Sequence, residues 1–400
     1  MALISVREAV ERVLSGVVPT GAETVPLAEA FGRVLAEPLA ALRTQPPFAA
    51  SAMDGYAVRA VEAKPGAQLR VIGASLAGKG YAGNVGPGEA VRIFTGAPVP
   101  DGADTILIQE KAEAGDGTVK VLESPITGRH IRAAGLDFRK GDMLLSAGRR
   151  LGARELALAA AMNHASVPVR RRPLVAILAT GDELVPPGGN PGPDEIVASN
   201  GFGIAALVAK AGGLARDLGI VRDDRAAIAA AIDAARAAKA DILVTLGGAS
   251  VGEHDLVGAA LQERGMALDF WKIAMRPGKP LLFGRLGEMR VLGLPGNPVS
   301  SLVCGILFLE PLIGALLGRP YVEPGEPAVL GADMPPNDAR DDYMRATLTR
   351  ASDGTLIATP LPVQDSSMLS TLAAADCLLV RPANAPAGKR GDRCRVVRLG

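Results

Sequence analysis

Cysteine is scarce in this chain. Cys304, Cys377 and Cys394 are the whole complement in 400 residues, and none belongs to a CxxC pair. An odd, sparse set excludes a disulfide framework and suits a reducing compartment. Histidine is equally rare: His130, His164 and His254 are scattered, which leaves few candidates for a His-rich zinc site or a Ser-His-Asp triad. Aromatic residues amount to 3%, too few for a base-stacking platform. No charge of one sign dominates, with Lys plus Arg at 43 against Asp plus Glu at 42. The basic surplus of a nucleic-acid binder is missing, and so is bulk attraction to a membrane surface. The opening MALISVREAVERV carries acidic residues and lacks a long apolar core, so it does not read as a secretory signal. These features predict a cytoplasmic protein with no nucleic-acid partner and no membrane.

One apolar run tests that expectation. Between 291 and 318 the only charge is Glu310, and the stretch is long enough to span a bilayer. Pro295, Asn297, Pro298 and Pro311 interrupt it, so it reads as a strand, a tight turn and a buried helix.

What is present is an ordinary globular composition, 48% hydrophobic and 21% charged, on a chain too long for one domain of about 150 residues. Residues 3–40 read as two amphipathic helices. VREAVERVL places Val6, Ala9, Val10 and Val13 at helical spacing, and PLAEAFGRVLAEPLA places Leu27, Phe31 and Leu35 likewise. From 57 to 146, short runs such as QLRVIG, EAVRIFTG, DTILIQE and TVKVLE are bounded by Gly, Pro and Asp, the pattern of a compact β domain. GARELALAAAMNH at 152–164 returns to helix. The VRRRP that follows reads as a solvated hinge, or else an anion patch.

From 173 to 318, continuous apolar runs alternate with helical patterns. PLVAILAT, LARDLGIV and DILVTLGG are strands, with helices at 200–212, across RAAIAAAIDAARAAKA, from about 254, and from 298. Strands without alternation, separated by helices, predict a buried parallel sheet. Short strands resume after 324. The expected fold class is therefore an α/β multidomain chain. A helical stalk of residues 1–43 and 147–172 carries an inserted β domain at 44–146. A central, mostly parallel α/β domain follows at 173–323, and a small C-terminal β barrel at 324–400.

In an open α/β sheet, ligands bind beyond the carboxyl ends of the strands. Four segments fall there. Thr180-Gly181-Asp182-Glu183 follows the first strand; it offers a hydroxyl and two carboxylates suited to Mg²⁺, although a surface turn explains it as well. Gly247-Gly248-Ala249-Ser250, running on to Asp255, lets backbone N–H groups approach an anion at a helix start, without the GK[ST] of a P-loop. Gly293 to Pro298 sets Asn297 as an N-cap and Pro298 at the first helical position. Lys272 to Pro280 gathers Lys272, Arg276 and Lys279 around a Pro-Gly bend, a local positive cluster that suits an anionic ligand and equally a solvated hairpin. Trp271 reads as core and His254 as a surface or packing residue. Two further segments, SAMDGY with Asp54 and IFTGAP with Thr95, lack catalytic specificity when taken singly.

Assembled in order, SAMDGYA, IFTGAPVPDGAD, ATGDEL, GGASVGEHD, MRPGKP and GLPGNPVS resemble the molybdopterin molybdenumtransferases of the MoeA type, related to the gephyrin E domain. The resemblance spans nearly the whole chain. It implies an elongated four-domain protomer that forms a homodimer, its α/β domain being molybdopterin-binding. It also implies the insertion of molybdate into adenylylated molybdopterin with release of AMP, assisted by Mg²⁺. By motif, it assigns catalytic roles to Asp54, Thr95, Asp137, Glu183, Asp223 and Asp255, and metal binding to Asp182, Glu183 and Asp255. Thr180, Gly248, Ser250, Lys272, Arg276, Lys279, Pro295, Asn297, Pro298, Arg345 and Ser366 become substrate contacts. The resemblance carries Asp54, Thr95 and Asp137 to the cleft of the second subunit. It implies the adenylyltransferase and downstream molybdoenzyme maturation proteins as further partners. Leu136 stands where the family often has Glu, and Ala249 where it often has Val. An adenylyltransferase step and a gephyrin-like scaffold are the competing expectations.

Overall fold

The computed structural model describes residues 3–247 and 256–399. The chain divides into two compact units. One comprises Met1–Glu23, Gly32–Ala36 and Val169–Gly400; the other comprises Thr24–Phe31 and Glu37–Pro168.

The first helix, α1 (Val6–Leu14), is capped by Ser5, whose Oγ accepts the Glu8 amide at 3.1 Å. Its buried Val6, Ala9, Val10 and Val13 join the main hydrophobic core of the larger unit. The expected second helix does not form. Only Leu27–Glu29 makes a short 3-10 turn, and Phe31 is left 68% exposed. Gly32 takes φ +74, and Pro38 follows, so the apolar spacing that suggested a helix is spread over irregular chain.

The smaller unit is built on a six-stranded sheet of β1 (Gly55–Val58), β2 (Gln68–Ser75), β3 (Glu89–Ile93), β4 (Thr105–Ile108), β5 (Ala112–Ala114) and β6 (Thr118–Val121), in the order β4-β1-β3-β2-β6-β5. β1 is buried at every residue and pairs antiparallel with both β3 and β4. Apolar clusters cover both faces of this sheet. The helix α2 (Ala153–Ala161) follows in the same unit.

The larger unit begins its sheet at β7 (Leu174–Thr180). It continues through α3 (Asn200–Ala211), β8 (Leu214–Val221), α4 (Arg225–Ala237), β9 (Ile242–Leu246), α5 (Leu256–Glu263), β10 (Ala267–Lys272), β11 (Pro280–Leu286) and β12 (Met289–Leu294). The strand order is β8-β7-β9-β12-β11-β10. The first four strands are parallel, and β11 and β10 add antiparallel. β9 and β12 are buried throughout, as unalternating runs require. α6 (Pro298–Cys304) runs on through a π-turn to Leu316. That stretch is long and apolar enough to cross a membrane, yet 72% of its most apolar window is buried inside the protein. It fills the core against α1 and the sheet.

Two of the VRRRP arginines are engaged within the protein and not free to form an anion patch. Arg170 donates to the Thr20 carbonyl at 2.9 Å, and Arg171 pairs with both oxygens of Asp241 at 2.7 and 2.9 Å. Trp271 is half-buried at the edge of the second core cluster.

Five strands close the C-terminal barrel: β13 (Glu326–Leu330), β14 (Asp341–Arg350), β15 (Leu356–Pro360), β16 (Cys377–Arg381) and β17 (Arg393–Arg398). Pairing runs β14-β15-β13-β17-β16 and returns from β16 to β14. The short strand Met275–Arg276 joins this barrel by pairing with β14.

Candidate functional site

The parallel register brings four strand ends to one edge. Thr180 of β7 stands beside Val221 of β8, Ala179 beside Leu246 of β9, and Leu246 beside Leu294 of β12. The turns at 181–183, 222–224 and 295–297 therefore leave the sheet on the same side as Gly247. Two glycines make these exits possible. Gly181 sits at φ +151, where a Cβ would lie 2.5 Å from the Glu183 carboxylate. Gly247 sits at φ +94, where a Cβ would lie 2.9 Å from the Thr180 carbonyl.

Between these turns and the barrel lies a cleft of about 630 Å³. Thr180, Glu183, Gly247, Pro280, Pro295 and Asn297 contribute to its walls, and Ser367 reaches it from the barrel side. Thr180 is 6% exposed, and its hydroxyl has no hydrogen-bond partner among the described residues, so it is available to a ligand. A second cavity of about 680 Å³, between α1 and the barrel, lies away from these strand ends.

Two helices begin at the cleft. Ser199, Asn200 and Gly201 line it at the start of α3, and Asn297 and Pro298 line it at the start of α6. Their orphan amides bring partial positive charge. Asn200 Nδ2 donates to the Gly296 carbonyl at 2.7 Å, tying the two starts together. Sequence reading missed Ser199, Asn200 and Ser367. The Ser-Asn pair before the apolar run of α3 was their one available signal, and it reads equally as ordinary helix capping.

Carboxylates gather at one end of this edge. The Asp223 amide donates to Asp182 Oδ1 at 3.3 Å. Partial desolvation, then the negative charges of Asp182 and Glu183, raise the Asp223 carboxyl above its ordinary pKa. Among the described residues, no three His, Cys, Asp or Glu side chains form a preassembled metal cage.

The structure gives the cations that the sequence grouped different partners. Arg276 is paired with Asp342 at 2.5 Å and Asp338 at 3.6 Å, and the Asp342 hydrogen bonds raise its pKa. Lys272 stacks on Trp271, its Nζ 3.6 Å from the ring centroid. Lys279 is exposed and has no ion pair among the described residues. Arg345, on β14, is only 1% exposed. Its Nη2 donates to the Asp365 carbonyl at 3.2 Å, and its Nε has no partner among the described residues. Burial pushes this guanidinium down from its ordinary pKa, against the pull of Asp342 and Asp365. A buried cation with no carboxylate bonded to it suits an anion.

Asn297 occupies the N-cap position of α6, but its side chain does not cap. Its Nδ2 donates instead to Ser366 Oγ at 2.9 Å, and the Val299 amide donates to the Ser366 carbonyl at 3.0 Å. The loop 364–367 is thereby fastened to the start of α6. Gln364 secures its other end, accepting from the Arg345 amide and donating to the Arg345 carbonyl, both at 2.9 Å.

In the smaller unit, Asp54 and Thr95 are brought together. Asp54 Oδ1 accepts from the Thr95 amide at 2.7 Å and from Thr95 Oγ1 at 2.8 Å. These bonds hold the Asp54 carboxyl below its ordinary pKa, and the Arg92 charge adds to them. Asp137 is exposed, its amide donating to the Gln45 carbonyl at 3.0 Å, and no described hydrogen bond joins it to Asp54 or Thr95. Gly248, Ser250, Asp255 and His254 lie outside the described residues.

Three family descriptions match the chain in succession. The MoeA N-terminal region (domain I and II) matches residues 4–163, the "Probable molybdopterin binding domain" residues 176–315, and the MoeA C-terminal region (domain IV) residues 327–399. A curated molybdopterin molybdenumtransferase of Haemophilus influenzae is 36% identical over 365 residues, 90% of each chain. That of Bacillus subtilis is 34% identical over 405 residues, covering 98% of this chain and 94% of its own. A solved molybdopterin biosynthesis MoeA protein from Pyrococcus horikoshii superposes with a TM-score of 0.85, covering 100% of both chains at 30% identity.

Proposed function

The chain belongs to the molybdopterin molybdenumtransferase family and is a transferase. From that premise we propose that it inserts molybdate into adenylylated molybdopterin and releases AMP, the final step of molybdenum cofactor biosynthesis. The observation that carries this reading is the cleft at the shared strand edge, where Thr180, Glu183, Gly247 and Asn297 face one hollow.

Water cleaves the phosphoanhydride to release AMP, and the two dithiolene sulfurs replace two molybdate oxygens, which take up protons and leave as water. The reaction requires no protein nucleophile, so the rate must come from positioning and charge compensation. Thr180 and the amides at the starts of α3 and α6 hold phosphate oxygens. Arg345 and Lys279 attract molybdate, while Pro295 and Pro298 shape its seat and Asn297 and Ser366 hold the seat's wall in place. Arg276 and Lys272, engaged by Asp342 and Trp271, shape the bend beside it.

The carboxylates fit Mg²⁺, a hard ion that keeps waters and phosphate oxygens rather than demanding an all-protein cage. Asp182, Glu183 and Asp223 are all-oxygen donors whose mutual repulsion a cation relieves, and Asp255 completes the assigned group. Bound there, Mg²⁺ neutralises charge on the phosphoanhydride. Asp54, Thr95 and Asp137 serve the cleft of the partner in a homodimer, and the reaction belongs in the cytoplasm. The adenylyltransferase and scaffold readings are not favoured, because the relatives matched over nine-tenths of their length carry the transferase name.

The test is purified protein with adenylylated molybdopterin, Mg²⁺ and molybdate. AMP release should depend on molybdate and be lost in E183Q with folding intact. ATP-dependent adenylylation of free molybdopterin, or full turnover by E183Q, would overturn the assignment.

A further inference from the structure

We infer that Arg92 is a positioning residue for the Asp54–Thr95 pair. The inference rests on the reading of that pair as part of the reacting machinery.

Three segments converge on Asp54: the start of β1, the exit of β3, and the 3-10 turn Gln109–Lys111 beyond β4. Arg92 belongs to β3 and is bonded to the other two. Its Nη1 donates to the Gly55 carbonyl at 3.1 Å, and its Nη2 donates to Gln109 Oε1 at 3.0 Å. Gln109 in turn donates its amide to the Asp54 carbonyl at 3.1 Å. Thr95, three residues beyond Arg92, holds the Asp54 carboxylate through its amide and hydroxyl. Arg92 thus grips the residue after Asp54 and the side chain of the residue that holds the Asp54 carbonyl, and it lies on the strand that leads to Thr95.

The guanidinium is itself fixed. It lies 5.0 Å from the Tyr56 ring centroid and 4.9 Å from that of Phe94, in a chain with only four Tyr and eight Phe. Its planar fork reaches a carbonyl and an amide in two directions, which an ammonium on a flexible stem does not reproduce. Among the described residues, Arg92 makes no ion pair, and its charge adds a smaller pull to the two Thr95 hydrogen bonds that lower the Asp54 pKa. A staple that only joined strands would need neither that unpaired charge nor its place between the two holders of Asp54.

R92M, R92K and D54N are prepared as full-length protein and assayed for molybdate-dependent AMP release, alongside thermal unfolding. R92M should keep a Tm close to the parent, while kcat falls about 10²-fold with little change in KM, as expected when a reacting group is misplaced. R92K should recover part of that loss through its retained charge. Parental kcat in R92M with D54N inactive overturns the inference alone, whereas parental kcat in D54N overturns the reading beneath it as well. A loss that R92K does not relieve, falling in step with Tm, marks a strand staple and also overturns the inference. Should R92M fail to fold, R92Q is judged by the same criteria.

Discussion

Asn297 and Ser366 are joined by a 2.9 Å hydrogen bond between their side chains, 69 residues apart in sequence, at the point where the α/β sheet meets the barrel. The residue that begins α6 has thus given up capping to hold a loop of another domain. N297A removes that bond without stripping the helix of a cap. The expected cost in stability is small, about 0.5–1.5 kcal/mol for a partly exposed hydrogen bond. The expected functional effect is larger: KM for molybdate rises, because the 364–367 loop loses its fastening. Thermal unfolding and steady-state kinetics on one preparation separate the two effects, and an unchanged KM would count against the loop's role.

Asp223 supplies the pH dependence. Its folded pKa is raised, so the folded state binds this proton more readily than the unfolded chain does. The contribution is favourable below the unfolded pKa and is lost as pH rises, leaving a cost at neutral pH. D223N should therefore unfold at a slightly higher temperature than the parent at pH 7.5, and the difference should shrink as pH approaches 4. Adding Mg²⁺ should raise the parental Tm and do less for D223N, and chelation should reverse it. A Tm advantage independent of pH would show that carboxylate crowding is not its source.

Gly181 cannot be replaced cheaply. At φ +151, a conformation that L side chains rarely adopt, G181A is expected to cost about 1–3 kcal/mol, and its Cβ pushes the flexible Glu183 carboxylate aside. Activity should fall further than the stability loss explains. Denaturant unfolding beside AMP release measures both, and wild-type turnover in a folded G181A would remove Glu183 from the mechanism.

Asp54 and Glu183 are assigned to one cleft completed across a homodimer. Co-expressed D54N and E183Q chains, each inactive alone, should then regain about a quarter of parental activity, since random pairing makes half the dimers mixed and each mixed dimer keeps one intact site. Persistent inactivity of the mixture would place the two residues in the same subunit's cleft.

The sheet was legible because its central strands β7, β9 and β12 are continuous apolar runs ended by glycine-containing turns, and the register then forces those turns to one edge. The helix expected across PLAEAFGRVLAEPLA failed because periodicity of Leu27, Phe31 and Leu35 ignores the reversal at Gly32 and says nothing of whether Phe31 finds a partner. The cationic cluster at 272–279 looked free because Asp338 and Asp342, which engage Arg276, lie more than 60 residues downstream. Short-range pattern names the turns, whereas pairings between distant segments decide which charges remain available. The same distance hid the bond from Asn297 to Ser366 and the tie from Asn200 to Gly296.

The closed ring of β13 to β17 gives the C-terminal domain no free edge strand of its own. Ser366 and Ser367 stand off that ring, in the connection between β15 and β16, so ring closure does not hold them; the bonds of Ser366 to Asn297 and Val299 do. The ring can therefore stay shut while its rim gives way, and those few bonds decide whether the wall of the hollow yields.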